Sequence, residues 1–181
     1  MLISPTNSLL LVVDIQEKLV PAVCQPEQLV SQTRWLMEIA ALLDVTVLVS
    51  EQYPQGLGNT VAELSKLVTP EQVIDKLHFS CASDSNCLER IQQAQRKQIV
   101  ICGMEAHVCV LQTAIGLKKQ GFEVFVVGDL ISSRSDADKQ LAIARLQHLK
   151  IQVVSREMVA FEWMEKSGTD SFKAISKNYL R

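Results

Sequence analysis

The period of apolar positions switches repeatedly along this chain. Short runs rich in valine, isoleucine and leucine fall at residues 9–15, 46–50, 72–75, 98–102, 123–127 and 151–154. Runs of that length, apolar on both faces, suit strands of a buried parallel sheet. Between them the spacing becomes helical. Leu29, Thr33, Leu36, Met37, Ala40 and Leu43 line one face of a helix over 27–43. Cys87, Leu88, Ile91 and Ala94 mark a second helix, with Ser83 as its expected N-cap. Val108, Val110, Leu111, Ala114, Ile115 and Leu117 mark a third, and Gly121 stands where a left-handed cap would close it. A fourth covers 138–149. The stretch 161–180 reads as helical or irregular, broken at Ser167 and Gly168.

Strands alternating with helices predict right-handed crossovers, and so an α/β fold with a parallel sheet covered on both faces. No repeat, low-complexity tract or linker interrupts the pattern, so one domain over 1–181 is expected. The one conspicuous loop is E-Q-Y-P-Q-G-L-G-N at 51–59, with Pro54, Gly56 and Gly58 as breakers. It follows a strand, which puts it at the C-terminal edge of the sheet, where open α/β sheets bind ligands.

Composition narrows the function. With 181 residues, 48% of them apolar and 21% charged, the chain can bury a sizeable core without disulfides or metal. Eighteen Lys and Arg against 20 Asp and Glu leave a net charge of −2, and only two Trp, two Tyr and five Phe are present. That is neither the basic stripe nor the stacking platform of a nucleic-acid binder. No apolar run approaches the ~20 residues needed to span a bilayer, and no secretory leader or lipidation signal is visible. Neither nucleic acid nor membrane is an expected partner. The five cysteines (Cys24, Cys81, Cys87, Cys102 and Cys109) read as reduced thiols of a cytoplasmic protein.

Three positions carry candidate chemistry. Asp14 ends the apolar strand L-L-L-V-V-D, so its carboxylate either caps the next loop or serves a site. Lys76 holds the same place in V-I-D-K; if both side chains enter one crevice, they form an ion pair. Cys109 follows the strand at 98–102 and Gly103, in the first turn or so of the third helix. A thiol at a helix N-terminus has a lowered pKa, and the N–H groups there can receive an oxyanion. The other four cysteines are expected to be structural. His107 lies two residues before Cys109, ~200° away on a regular helix, which disfavours a direct Cys–His dyad. Neither C-x-x-C spacing nor a phosphate-binding glycine motif occurs, so metal and nucleotide sites have no anchor.

At these residues the sequence resembles the isochorismatase-like cysteine hydrolases, which include nicotinamidases and N-carbamoylsarcosine amidases. L-L-V-V-D-I-Q matches the segment of their Asp at Asp14, D-K-L-H-F-S their K-x-x-[FY]-S with Lys76, and G-M-E-A-H-V-C-V their nucleophile turn ending at Cys109. The S-S-R at 132–134 also resembles the segment after their fifth strand. The resemblance is nearest to the isochorismatase domain-containing subgroup. It implies a three-layer α/β/α fold with a six-stranded parallel sheet in the order 3-2-1-4-5-6. It also implies a triad of Asp14, Lys76 and Cys109, a cis peptide at Met104–Glu105, and an oxyanion hole from the backbone N–H groups of Glu105 and Cys109. In those roles Asp14 is the proton carrier and Lys76 holds it and favours the thiolate.

Departures from the family are informative. Nicotinamidases bind a metal through a D-x-H-P segment; aligned on Pro54, its Asp and His fall on Glu51 and Tyr53. Tyrosine for histidine removes a nitrogen ligand, so no metal or other cofactor is expected. Glu51, Tyr53, Phe79 and His107 are instead expected to shape a small substrate pocket. The expected function is a metal-independent cysteine hydrolase that cleaves a small amide or related acyl compound through a thioester. The alternative is a non-catalytic member binding a metabolite or protein partner; a redox role for Cys109 lacks a spaced resolving cysteine. A homo-oligomer is expected if Phe161, Trp163, Met164 and Phe172 form an apolar contact, whereas the tail could equally pack on its own sheet.

Overall fold

The computed structural model describes residues 1–180. Six strands form one sheet: β1 (Ser8–Val13), β2 (Thr46–Gln52), β3 (Val73–Lys76), β4 (Gln98–Met104), β5 (Glu123–Ser132) and β6 (Gln152–Val154). All pair in parallel, in the order β3-β2-β1-β4-β5-β6. The direction of winding reverses between β1 and β4, which opens a crevice at their carboxyl ends. The helices are α1 (Pro26–Leu42), α2 (Pro54–Leu57), α3 (Ala62–Ser65), α4 (Ser85–Gln93), α5 (Leu111–Lys119), α6 (Asp136–His148), α7 (Arg156–Met164) and α8 (Asp170–Tyr179).

Strand alternation divides the core in two. Leu10, Val12, Val47, Val49 and Val100 face α1, α7 and α8, whereas Leu9, Leu11, Leu48, Ile74 and Ile99 face α4, α5 and α6. Both layers exclude water from β1, whose six residues are all buried. That double burial explains why its sequence is a continuous apolar run rather than an alternating one.

Some boundaries move. The cap of α4 is Asp84, not Ser83: its carboxylate accepts the Cys87 N–H at 3.2 Å. The third predicted helix starts later, because Ala106–Val110 form a wider π-helical turn before α5. At its far end Gly121 adopts φ +89°, with Gly121 N–H bonded to the Lys118 carbonyl and Phe122 N–H to that of Leu117. This Schellman closure satisfies carbonyls the helix would otherwise leave open. The tail packs on its own sheet: Trp163 and Met164 are buried and Phe172 packs against the α1 side of the core. Of the four residues expected to meet a second copy, only Phe161 is exposed. None of the described helices is long and apolar enough to cross a membrane.

Gly103 pairs with Val13 at the end of β1. Its φ is +121°, and a Cβ there would stand 2.1 Å from the Val13 carbonyl oxygen. The contact is with backbone, which has nowhere to move. Gly103→Ala is therefore expected to lower stability by about 2–3 kcal/mol or more, read as the shift in urea midpoint, through overpacking and a disallowed φ.

Candidate active site

β1 stops at Val13, and Asp14 turns the chain with φ 54°, its N–H still bonded to the Ser50 carbonyl at 3.0 Å. The Asp14 side chain enters the crevice fully buried. Its Oδ2 accepts from Lys76 Nζ at 2.7 Å, and its Oδ1 accepts from Ser50 Oγ at 2.7 Å. The Asp14–Lys76 pair is sealed, with side chains 1% and 0% exposed. Lys76 Nζ also donates to Gln52 Oε1 at 2.7 Å. Gln52 and Lys76 are register partners across β2 and β3, so their side chains share a face.

Cys109 comes from the π-helical turn after β4 and is 7% exposed. Its thiol lies beside the Asp14 carboxylate, near enough for each to act on the other's ionisation. Sequence motifs 62 and 33 residues apart thus converge on one carboxylate. Cys81, fully buried beside the Cys87 thiol, lies near enough to act electrostatically on Lys76 and Cys109. It is closer to the site than its expected structural role required.

The electrostatics correct one expectation. A helix N-terminus alone would lower the Cys109 pKa, but burial pushes it well above the ordinary thiol value. The Asp14 charge and hydrogen bond add to that rise, and Lys76 opposes it only in part. The resting group is a thiol. Burial likewise raises the Asp14 carboxyl above its usual range, against the pull of Lys76, Ser50 and Cys109. For Lys76, burial works against the charge, but the attraction of Asp14 and the neighbouring thiols outweighs it and the pKa ends raised.

The residues expected to line a pocket divide. Ser50 and Gln52 reach the site from β2, so Glu51 between them must project to the opposite face. There its carboxylate accepts the N–H and the hydroxyl of Thr60 at 2.6 and 2.7 Å. Glu51 is thus a buried anchor for the 58–60 loop and not a pocket residue. Glu51→Gln is expected to leave the Cys109 alkylation rate unchanged while costing about 1–2 kcal/mol of stability by urea denaturation. Tyr53 is half-exposed, its ring laid over Gly56, and Phe79 is exposed on the loop beyond β3. His107 is half-buried, with Nδ1 hydrogen-bonded to Ser133 Oγ at 2.9 Å. The S-S-R segment braces the turn carrying Cys109 a second time: Arg134 Nε donates to Glu105 Oε1 at 2.7 Å. The peptide between Met104 and Glu105 is cis.

The positions matching the D-x-H-P metal ligands do not form a ligand set, since Glu51 is taken by Thr60 and Tyr53 offers only a phenol. Among the described residues no three His, Cys, Asp or Glu side chains gather as a metal site. Ser50, Gln52 and Gln16 were missed in the sequence. The signal was present for the first two, because alternation along S-E-Q puts them on the Asp14 face.

Comparison with known proteins places this geometry. The secreted isochorismatase effector Isc1 of Phytophthora sojae is 36% identical over 96% of this chain and 84% of its own length. Isochorismatase domain-containing protein 2A of Mus musculus is 34% identical over 97% of this chain and 84% of its own. A Caenorhabditis elegans structure described as MAR1 ribonuclease superposes with a TM-score of 0.92 at 32% identity, covering 100% of this chain and 93% of that one. The isochorismatase domain profile matches residues 8–158. By the match over most of its length, the chain belongs to the isochorismatase family of hydrolases.

Proposed function

We propose that the protein is a metal-independent cysteine hydrolase acting on a small amide or related acyl compound. The observation that carries this reading is one buried carboxylate, Asp14, bonded to Lys76 at 2.7 Å and lying beside the Cys109 thiol. In the proposed reaction Asp14 takes the thiol proton as Sγ attacks the carbonyl carbon. The oxyanion of the tetrahedral intermediate is received by the backbone N–H groups of Glu105 and Cys109. Collapse breaks the bond to the leaving amine, which takes the proton from Asp14 and departs, leaving a thioester. Asp14 then accepts a proton from water as its oxygen attacks; collapse returns the thiolate, which recovers the proton, and frees the acid. Lys76 stays protonated throughout, offsetting the charge on Asp14 and on the sulfur.

A raised Asp14 pKa suits this work, because a strongly acidic carboxylate would make a poor proton acceptor. The test is a screen of small amides, carbamoyl compounds and esters, with Cys109→Ala as control and an RNA oligonucleotide as a separate arm. Turnover of an acyl compound that survives exhaustive EDTA dialysis is expected, with the RNA left intact. RNA cleavage surviving in Cys109→Ala, or acyl turnover lost to EDTA and restored by a divalent metal, would overturn the reading.

A further inference from the structure

The backbone ladder between β1 and β2 ends where Asp14 leaves the sheet, yet β2 continues to Gln52. Its last residue is held by a side chain. Gln16, fully buried, accepts the Gln52 N–H on Oε1 at 2.8 Å and donates from Nε2 to the Gln52 carbonyl at 3.0 Å. A primary amide thereby replaces a missing peptide unit of β1. The same Nε2 donates to the Gly58 carbonyl at 2.6 Å, tying the 51–59 loop to the clamp.

The clamp fixes the backbone of Gln52, and two further bonds fix its side chain. Oε1 accepts from Lys76 Nζ at 2.7 Å, while Nε2 donates to the Leu77 carbonyl at 2.8 Å. The amide cannot flip: an ammonium has only donors and a carbonyl only acceptors. Lys76 is thus held from one side by Asp14 and from the other by a neutral acceptor. The neutrality matters. A carboxylate at position 52 would also hold the ammonium but would spend its charge there, whereas an amide leaves that charge to offset Asp14 and a forming thiolate.

We infer that Gln52, clamped by Gln16, is a positioning residue that aims the Lys76 ammonium at the Asp14–Cys109 pair without neutralising it. The inference deepens the hydrolase reading and rests on it for its catalytic meaning, but its test needs no substrate. The rate of Cys109 alkylation by iodoacetamide at pH 8, read by mass spectrometry of the Cys109 peptide, reports the small ionised fraction of the thiol while Lys76 is still charged. The titratable groups whose ionisation is coupled to Lys76 are Asp14, Cys81, Cys87 and Cys109.

In Gln52→Met, the alkylation rate at pH 8 is expected to fall roughly threefold, as the lysine loses its fixed place. In a Lys76→Met background the same change should add nothing, since there is no ammonium left to aim. Gln52→Glu keeps an acceptor for Lys76 and should lower the rate about tenfold through its added charge. An equal fall with and without Lys76, or no fall in Gln52→Met or Gln52→Glu, overturns the inference. If the wild type turns over no acyl compound but the rates change as stated, the hydrolase reading fails and the positioning role stands. If turnover is found and both kcat and the Gln52→Met alkylation rate match wild type, the positioning role fails alone.

Discussion

Replacing Cys109 by alanine should lower kcat on any acyl substrate by about 10⁴-fold or more, with the fold and the thermal midpoint little changed. The size follows from there being no substitute nucleophile. Asp14 and Lys76 would remain paired and could at most assist a direct attack by water. Cys81, though near the site, is fully buried. Cys109→Ser is the sharper comparison, since it keeps a protonated nucleophile beside Asp14 but one far harder to ionise. A kcat within tenfold of wild type in either variant would remove Cys109 from the chemistry.

Lys76→Met should have the second largest effect, on both stability and reactivity. Removing one member of a sealed ion pair leaves Asp14 buried with no counter-charge, a loss of about 3–5 kcal/mol near neutral pH. The pH dependence has a definite sign. Asp14 already holds its proton more tightly folded than at the ordinary value of 3.8, and losing Lys76 raises its pKa further. Between the unfolded and folded pKa values the folded state binds the extra proton, so stability falls as pH rises through that window. The variant's deficit should therefore shrink on acidification toward pH 4. The wild-type lysine behaves oppositely at the alkaline end: its raised pKa contributes stability below its unfolded value of 10.5 that disappears as pH climbs through the folded value. Paired urea titrations of wild type and variant at pH 5 and 8 would check this, and a deficit independent of pH would contradict it. Cys109 alkylation should slow as well, because the one charge opposing the thiol's rise is gone.

Much of the architecture was legible because its signals are local. Six apolar runs separated by 3.6-period stretches can form little else than a doubly covered parallel sheet, and β1 through β6 all fall on those runs. Asp14 and Lys76 stood out as charges at the ends of buried strands. The rest depends on which face a side chain chooses. Glu51 sits between Ser50 and Gln52, and one residue of alternation separates a loop anchor from a site residue. The apolar run there ends at Ser50, two residues before the strand does, so the hydrophobic pattern carries no sign of that alternation. Gln16 lies outside any strand, and nothing local says that its amide completes a ladder. The Cys109 pKa was misjudged for a similar reason. A helix terminus is visible in sequence, whereas the desolvation that outweighs it depends on the layers closing over the crevice.

The protonated resting thiol has a consequence for the protein's lifetime under oxidative stress. Peroxides attack thiolates far faster than thiols, and ionised, exposed cysteines are the first to climb toward sulfenic and sulfinic acid. Cys109 is 7% exposed, and burial pushes its thiol well above the ordinary pKa range. In the proposed hydrolase a nucleophile so held would be spared the slow irreversible oxidation that a permanently ionised cysteine suffers between turnovers.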